Sequence, residues 1–133
     1  MADVEDLDIA RDEDIVRVRQ AVRALAVSAG LSLVDQTKMV TAASELARNT
    51  LIYGGGGQAQ LELVEESTRR GVRATFLDEG PGIADIDLAM TDGYTSGTGL
   101  GLGLSGARRL VDAFELESAA GEGTRVSITK WAR

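Results

Sequence analysis

Apolar residues recur at helical spacing through residues 12–29. Ile15, Val18, Val22 and Leu25 share one face, arginines occupy the other, and Gly30 stands where such a helix would stop. A second helix is expected over 33–53, with Asp35 as its cap if it begins late and the four glycines 54–57 ending it. The period then changes. Gln58 to Glu65 alternates as a half-buried strand does, with Leu61 and Leu63 inward. Residues 66–71 read as a polar turn and 71–77 as a returning strand, which makes a hairpin. Asp78 to Gly82 ends that strand with the chain's single proline, Pro81. Residues 84–96 hold no sustained period and predict a mobile connection with one short helical turn. A third helix is expected over 102–113, and strands over 114–118 and 124–131 form a second hairpin across the turn AAGEG. Met1 to Asp14 is acidic and only weakly apolar. The predicted order is therefore helices, hairpin, glycine loop, helix, hairpin. That order makes an α/β two-layer sandwich, a mostly antiparallel sheet covered by helices on one face, and not the alternating βαβ of a doubly wound sheet.

Composition narrows the chemistry. A chain of 133 residues, 44% hydrophobic, fits one domain, residues 1–133, with one core. No apolar run approaches the roughly 20 residues of a membrane span, and no charged-then-apolar leader opens the chain, so a cytoplasmic protein without membrane contact is expected. The absence of cysteine and histidine excludes thiol nucleophiles, Ser-His-Asp triads, imidazole or thiolate zinc sites and a phosphohistidine. A net charge of −7 argues against nucleic acid, which calls for a basic face. It also means that a bound polyphosphate would be held mainly by backbone dipoles and a metal, since Lys38 and Lys130 are the only lysines.

Three short segments carry candidate chemistry. Residues 97–106 read GTGLGLGLSG. Gly101, Gly103 and Gly106 spell GxGxxG, but that fingerprint must follow a strand directly, and the preceding MTDGYTSGT is polar. No GxxxxGK[ST] exists. A plain linker would not interleave Leu100, Leu102 and Leu104 so regularly, so the run reads as a loop that packs on something and moves. Bare backbone at the mouth of a helix suits a phosphate. The second segment is DEGPGI, residues 78–83. On its own it is an ordinary strand-ending turn. Read functionally, Asp78 aims a carboxylate at an exocyclic amine such as that of adenine, and Gly82 lets the base lie close to the main chain. The third is SELARN, residues 44–49, where Glu45 and Asn49 project from one helix face about 5–6 Å apart at Cβ. A carboxylate beside a carboxamide can hold Mg²⁺ and orient a nucleophile. The plainer alternative is a solvated face with Glu45 paired to Arg48.

The order SELARN, DEGPGI, GTGLGLG and a late GEGT resembles the N, G1 and G2 boxes and final Gly-Thr of the gyrase/Hsp90/histidine-kinase/MutL (GHKL) ATPases, whose domain is the Bergerat-type ATP-binding fold. Over nearly the whole chain, the phrase TAASELARN, the loop DGYTSGTGLGLGLSG and the terminal EGTRVSITKWAR are similar to the RsbT type of small serine/threonine kinase. The resemblance implies that Asn49 ligates Mg²⁺ on the phosphates of ATP. It implies that Glu45, beside the metal, is the general base or orients the substrate hydroxyl. Asp78 would recognise adenine, Gly80 and Gly82 would shape its pocket, and Thr124 would add a hydrogen bond near the base. Gly97, Thr98, Gly99, Leu100, Gly101 and Gly103 would form the ATP lid. It further implies a kinase of STAS-domain antagonist and scaffold proteins that then activates a PP2C-type phosphatase by binding, a partner switch in stressosome signalling. Two alternatives stand beside this: an anti-sigma-factor kinase, and a non-catalytic nucleotide-dependent binding switch. Relatives often place a lysine in the lid just before GLG. Here Ser96, Gly97 and Thr98 occupy that stretch, which leaves charge neutralisation to Mg²⁺, to Arg48 or Arg108, or to the partner.

Overall fold

The computed structural model describes residues 4–83, 89–90 and 103–133. Strand β1 (Val4–Ile9) leads into α1 (Asp12–Ala29) and α2 (Leu33–Ile52). The hairpin of β2 (Gly57–Glu66) and β3 (Arg69–Asp78) follows, then α3 (Gly103–Leu110) and the hairpin of β4 (Ala113–Ser118) and β5 (Thr124–Trp131). The strands form one antiparallel sheet in the order β1-β2-β3-β5-β4. Because side chains alternate across a sheet, Ala59, Leu61, Val72, Ala74, Phe76, Val126 and Ile128 share the face that the helices cover. Ile15, Val18 and Val22 of α1 and Met39, Ala43 and Leu46 of α2 close that core. α3 packs on α2. The expected two-layer sandwich is thus what the chain forms. Among the described residues no helix is long and apolar enough to cross a membrane.

Four local expectations are corrected. β1 was not expected: half of its residues are acidic, and only Ile9 is fully buried, so its hydrophobic signal is thin. Charge suits an edge strand, because it discourages pairing with other chains. The first hairpin turns through only Ser67 and Thr68, with Ser67 in the left-handed region (φ 58°), not through a six-residue loop. Both strands extend because Glu66 meets Arg69 at 2.8 Å and Glu65 faces Arg70 at 3.7 Å. Helix α2 is capped by Ser32, whose Oγ accepts the Asp35 N–H at 3.1 Å. Asp35 itself is drawn to Lys130 of β5, 3.7 Å away. Finally, α3 stops at Leu110, since the Asp112 N–H donates to the Thr129 carbonyl at 2.9 Å and starts β4 early. Helix α1 ends as expected, with Gly30 left-handed (φ 87°) and its N–H returned to the last turn.

Candidate functional site

Glu45 and Asn49 lie one turn apart on α2, both partly buried. Two donors converge on the Glu45 carboxylate. The Gly103 N–H, at the start of α3, is 3.4 Å from Oε2, and the Arg48 guanidinium is 3.7 Å from Oε1. The pairing with Arg48 expected of a bland surface is therefore present. Yet the Glu45 side chain is only 12% exposed, so it faces the start of α3 more than solvent. Arg108 lies exposed on α3.

The backbone after α2 links this pair to Asp78. The Asn49 carbonyl accepts N–H groups of Tyr53 and Gly54 at 2.9 and 3.1 Å. A Cβ on Gly54 would lie 2.4 Å from Cγ of Asp78, so the carboxylate rests against bare backbone there. Asp78 Oδ1 accepts the Gly80 N–H at 2.9 Å, which folds the loop back on the strand end. Gly80 is needed for a related reason: its Cβ would lie 2.7 Å from the Gly54 Cα. Gly82 also meets the β4–β5 turn. Its φ of 75° favours glycine, and a Cβ would stand 2.0 Å from the Ala119 carbonyl oxygen, so its bareness serves packing on the β4–β5 turn. Gly123 closes the same seam, with its Cβ position 2.2 Å from the Asp78 carbonyl.

Thr124 is the cross-strand partner of Asp78; Asp78 follows inward-facing Phe76 by two positions and Thr124 precedes inward-facing Val126 by two, so they share the helix-covered side. A cleft of about 430 Å³ at this end of the sheet is lined by residues that include Leu77, Asp78, Ser118, Gly123 and Thr124. The structure thus gathers Glu45, Asn49, Asp78, Gly80, Gly82, Gly103 and Thr124 around one end of the sheet. Gly97, Thr98, Gly99, Leu100 and Gly101 lie outside the described residues, as does most of the connection expected over 84–96. Sequence reading missed Gly54 and Ser118. The first looked like part of a helix stop, and the second like the polar end of a strand.

The donors fit magnesium. Asn49 and Glu45 present hard oxygens, and Mg²⁺ commonly takes one or two protein oxygens and completes its shell with phosphate and water. Among the described residues no group of three or more acidic side chains forms a closed cage, so such an ion would be shared with a polyphosphate.

Residues 34–132 match the family model of histidine kinase-, DNA gyrase B- and HSP90-like ATPases. The chain is 44% identical over 133 residues to the serine/threonine-protein kinase RsbT of Bacillus subtilis, covering all of both chains. It is 31% identical over 128 residues to an anti-sigma F factor of Clostridium acetobutylicum, covering 91% of this chain and 86% of that one. Among solved structures it resembles the RsbU and RsbW domains of a Mycobacterium tuberculosis protein. The TM-score is 0.67 at 22% identity, over all of this chain and 33% of the other. That likeness speaks to the fold alone, which is the Bergerat-type ATP-binding sandwich.

Proposed function

This chain belongs to the histidine kinase-, DNA gyrase B- and HSP90-like ATPases as a serine/threonine-protein kinase of the RsbT type, and from that premise we propose its substrate and its chemistry. One ATPase domain, residues 1–133, transfers the γ-phosphoryl group of ATP to a serine or threonine hydroxyl of STAS-domain antagonist and scaffold proteins. The observation that carries this reading is the convergence of Glu45, Asn49, Asp78 and Thr124 on one end of the sheet.

Phosphoryl transfer asks for positioning and charge stabilisation more than for covalent chemistry. Asp78 and Thr124 hold the base, with Gly80 and Gly82 shaping the loop beneath it. Glu45, fixed between the Gly103 N–H and Arg48, accepts the proton of the substrate hydroxyl as its oxygen bonds to the γ-phosphorus and ADP departs. Asn49 offers its amide oxygen to magnesium, which when bound neutralises charge on the phosphates. The glycine run 97–103 is the stretch of sequence we assign to the lid over them. Arg48 is the cation placed to supplement the metal where relatives use a lid lysine. After transfer the kinase leaves its antagonist and binds and activates a PP2C-type phosphatase, a switch of partners in stress signalling. The 31% identity to an anti-sigma F factor favours, as second reading, a kinase that sequesters a sigma subunit directly.

A radiolabelled-ATP transfer assay with purified STAS-domain proteins tests the proposal. Glu45→Ala is expected to lower transfer by about 10²–10⁴-fold while leaving ATP affinity intact. Asp78→Asn is expected to weaken ATP itself by about tenfold or more. Unchanged transfer in Glu45→Ala removes the base assignment. If no STAS protein accepts phosphate while phosphatase activation persists, a non-catalytic binding switch replaces it.

A further inference from the structure

Three hydrogen bonds meet at one hydroxyl, Ser118 Oγ, at the end of β4. The Ile83 N–H donates to it at 2.8 Å, it donates to the Gly123 carbonyl at 2.8 Å, and it lies 2.8 Å from Thr124 Oγ1. A serine hydroxyl has a single hydrogen and two lone pairs. A carbonyl can only accept and an amide N–H can only donate, so Ser118 gives its hydrogen to Gly123 and receives one from Ile83. The contact with Thr124 is then necessarily donated by Thr124. With its hydrogen engaged, the Thr124 hydroxyl has only lone pairs left for anything outside the chain.

Asp78, paired with Thr124 across the strands, is likewise acceptor-only when ionised, and one of its oxygens already takes the Gly80 N–H. Asp78 and Thr124 therefore offer acceptors from both strand ends, and Arg125, which also lines the cleft, has its guanidinium on Glu117 at 3.0 Å. A ligand edge placed there must bring donors. The 6-amino group of adenine does so. A 6-oxo purine turns a carbonyl oxygen toward acceptors, leaving polar groups without partners, and sites built on hydrogen bonds reject such mismatches strongly.

We propose that Ser118 is the positioning residue that sets nucleotide base specificity, by fixing Thr124 as an acceptor. The proposal rests on the reading of this end of the sheet as the ATP site. Ser118 touches no nucleotide itself. It acts through Thr124, and at the same time ties Ile83, at the end of the loop after β3, to the β4–β5 turn.

The test compares dissociation constants for ATP and inosine triphosphate, which carries a carbonyl in place of the 6-amino group. They are measured by competition on wild type, Ser118→Ala and Ser118→Thr. In Ser118→Ala the Thr124 hydroxyl is free to turn its hydrogen outward, and the ATP-over-ITP preference is expected to fall about fivefold to tenfold. Ser118→Thr keeps the hydroxyl and should keep the preference within about twofold. Because each ratio is taken within one protein, a smaller binding-competent fraction weakens both nucleotides equally and cancels. A merely structural serine would leave the ratio alone. Should Ser118→Ala not fold, Ser118→Cys carries the measurement, since a thiol is a weak donor and acceptor and leaves Thr124 similarly unfixed. An undiminished preference in the alanine or cysteine variant overturns the proposal while leaving the ATP site standing. A wild type with no preference for ATP over ITP overturns it together with the adenine role of Asp78 and Thr124.

Discussion

At its first residue β5 meets the loop after β3 through bare backbone, whereas at its last residues it is tied to α2 and to the segment after α3 by charge. At the first end, Gly82 and Gly123 let main chain approach main chain, and the Gly121 N–H donates to the Pro81 carbonyl at 2.6 Å. At the far end, the Lys130 Nζ, its side chain 6% exposed, sits 3.7 Å from both Asp35 and Asp112. Asp112 also accepts the Trp131 N–H at 2.8 Å and bonds to Arg133. Arg69 stacks over the Trp131 ring, 4.0 Å from its centroid. The far end pairs its buried charges, Lys130, Asp35 and Asp112, with one another. The near end builds its rigidity from backbone and leaves Asp78 and Thr124 with lone pairs to spare. Under the proposed function, stability and binding are thus separated along a single strand.

The largest effect is expected from Lys130→Met. Removing the buried cation leaves Asp35 and Asp112 with only the exposed Arg133 between them, at a cost of about 2–4 kcal/mol in urea unfolding, with ATP affinity of the folded protein unchanged. An affinity that fell in step with stability would dissolve the separation. Gly54→Ala probes the other end. Its Cβ would lie 2.4 Å from Cγ and 2.6 Å from Cβ of Asp78, and the latter is fixed to β3, so the backbone must shift and unfolding should cost about 1–3 kcal/mol. ATP affinity, measured by calorimetry, should fall about fivefold as Asp78 is displaced.

The smallest effect belongs to Asp14, at the start of α1, which follows the end of β1 at the same end of the sheet as Asp78 and two strands away from it. Its carboxyl is held below the usual range chiefly by the Ala10 N–H, with help from the Arg11 N–H and from Arg17 and Arg11, while burial works the other way. A folded-state value below the unfolded one means that Asp14 stabilises the fold above pH 3.8, and that this contribution drains away as pH falls through the lowered value. Asp14→Asn should therefore flatten the acid limb of the stability–pH curve and leave nucleotide binding at neutral pH alone. An unchanged acid limb would show that Asp14 contributes nothing there.

Periodicity located α1, α2 and both hairpins because each buries one regular face: Val18 and Val22 on α1, Leu61 on β2, Ile128 on β5. It failed at β1, where the pairing partner β2 is distant in sequence and half of the strand's own residues are acidic. It failed again at the Ser67 turn, where cross-strand ion pairs carry the strands past the apolar run. In the site, Glu45, Asn49 and Asp78 were legible as side-chain chemistry in recognisable order. Ser118 was not, since nothing local distinguishes a serine that ends a strand from one that wires three backbone and side-chain groups together.

By itself the sequence determined the family and the helix-covered antiparallel sheet and nominated the candidate side chains, because these follow from local periodicity and short ordered motifs. Only the tertiary structure decided which groups those side chains answer to. Glu45 faces the start of α3, Asp78 lies against Gly54, Asp35 leaves the cap for Lys130, and Thr124 is turned into an acceptor by Ser118. Each of these pairings joins residues from different elements or from the two sides of a turn. Their geometry exists only once the chain has closed on itself, because the polarity of a hydroxyl and the room for a carboxylate are set by neighbours that no local pattern records.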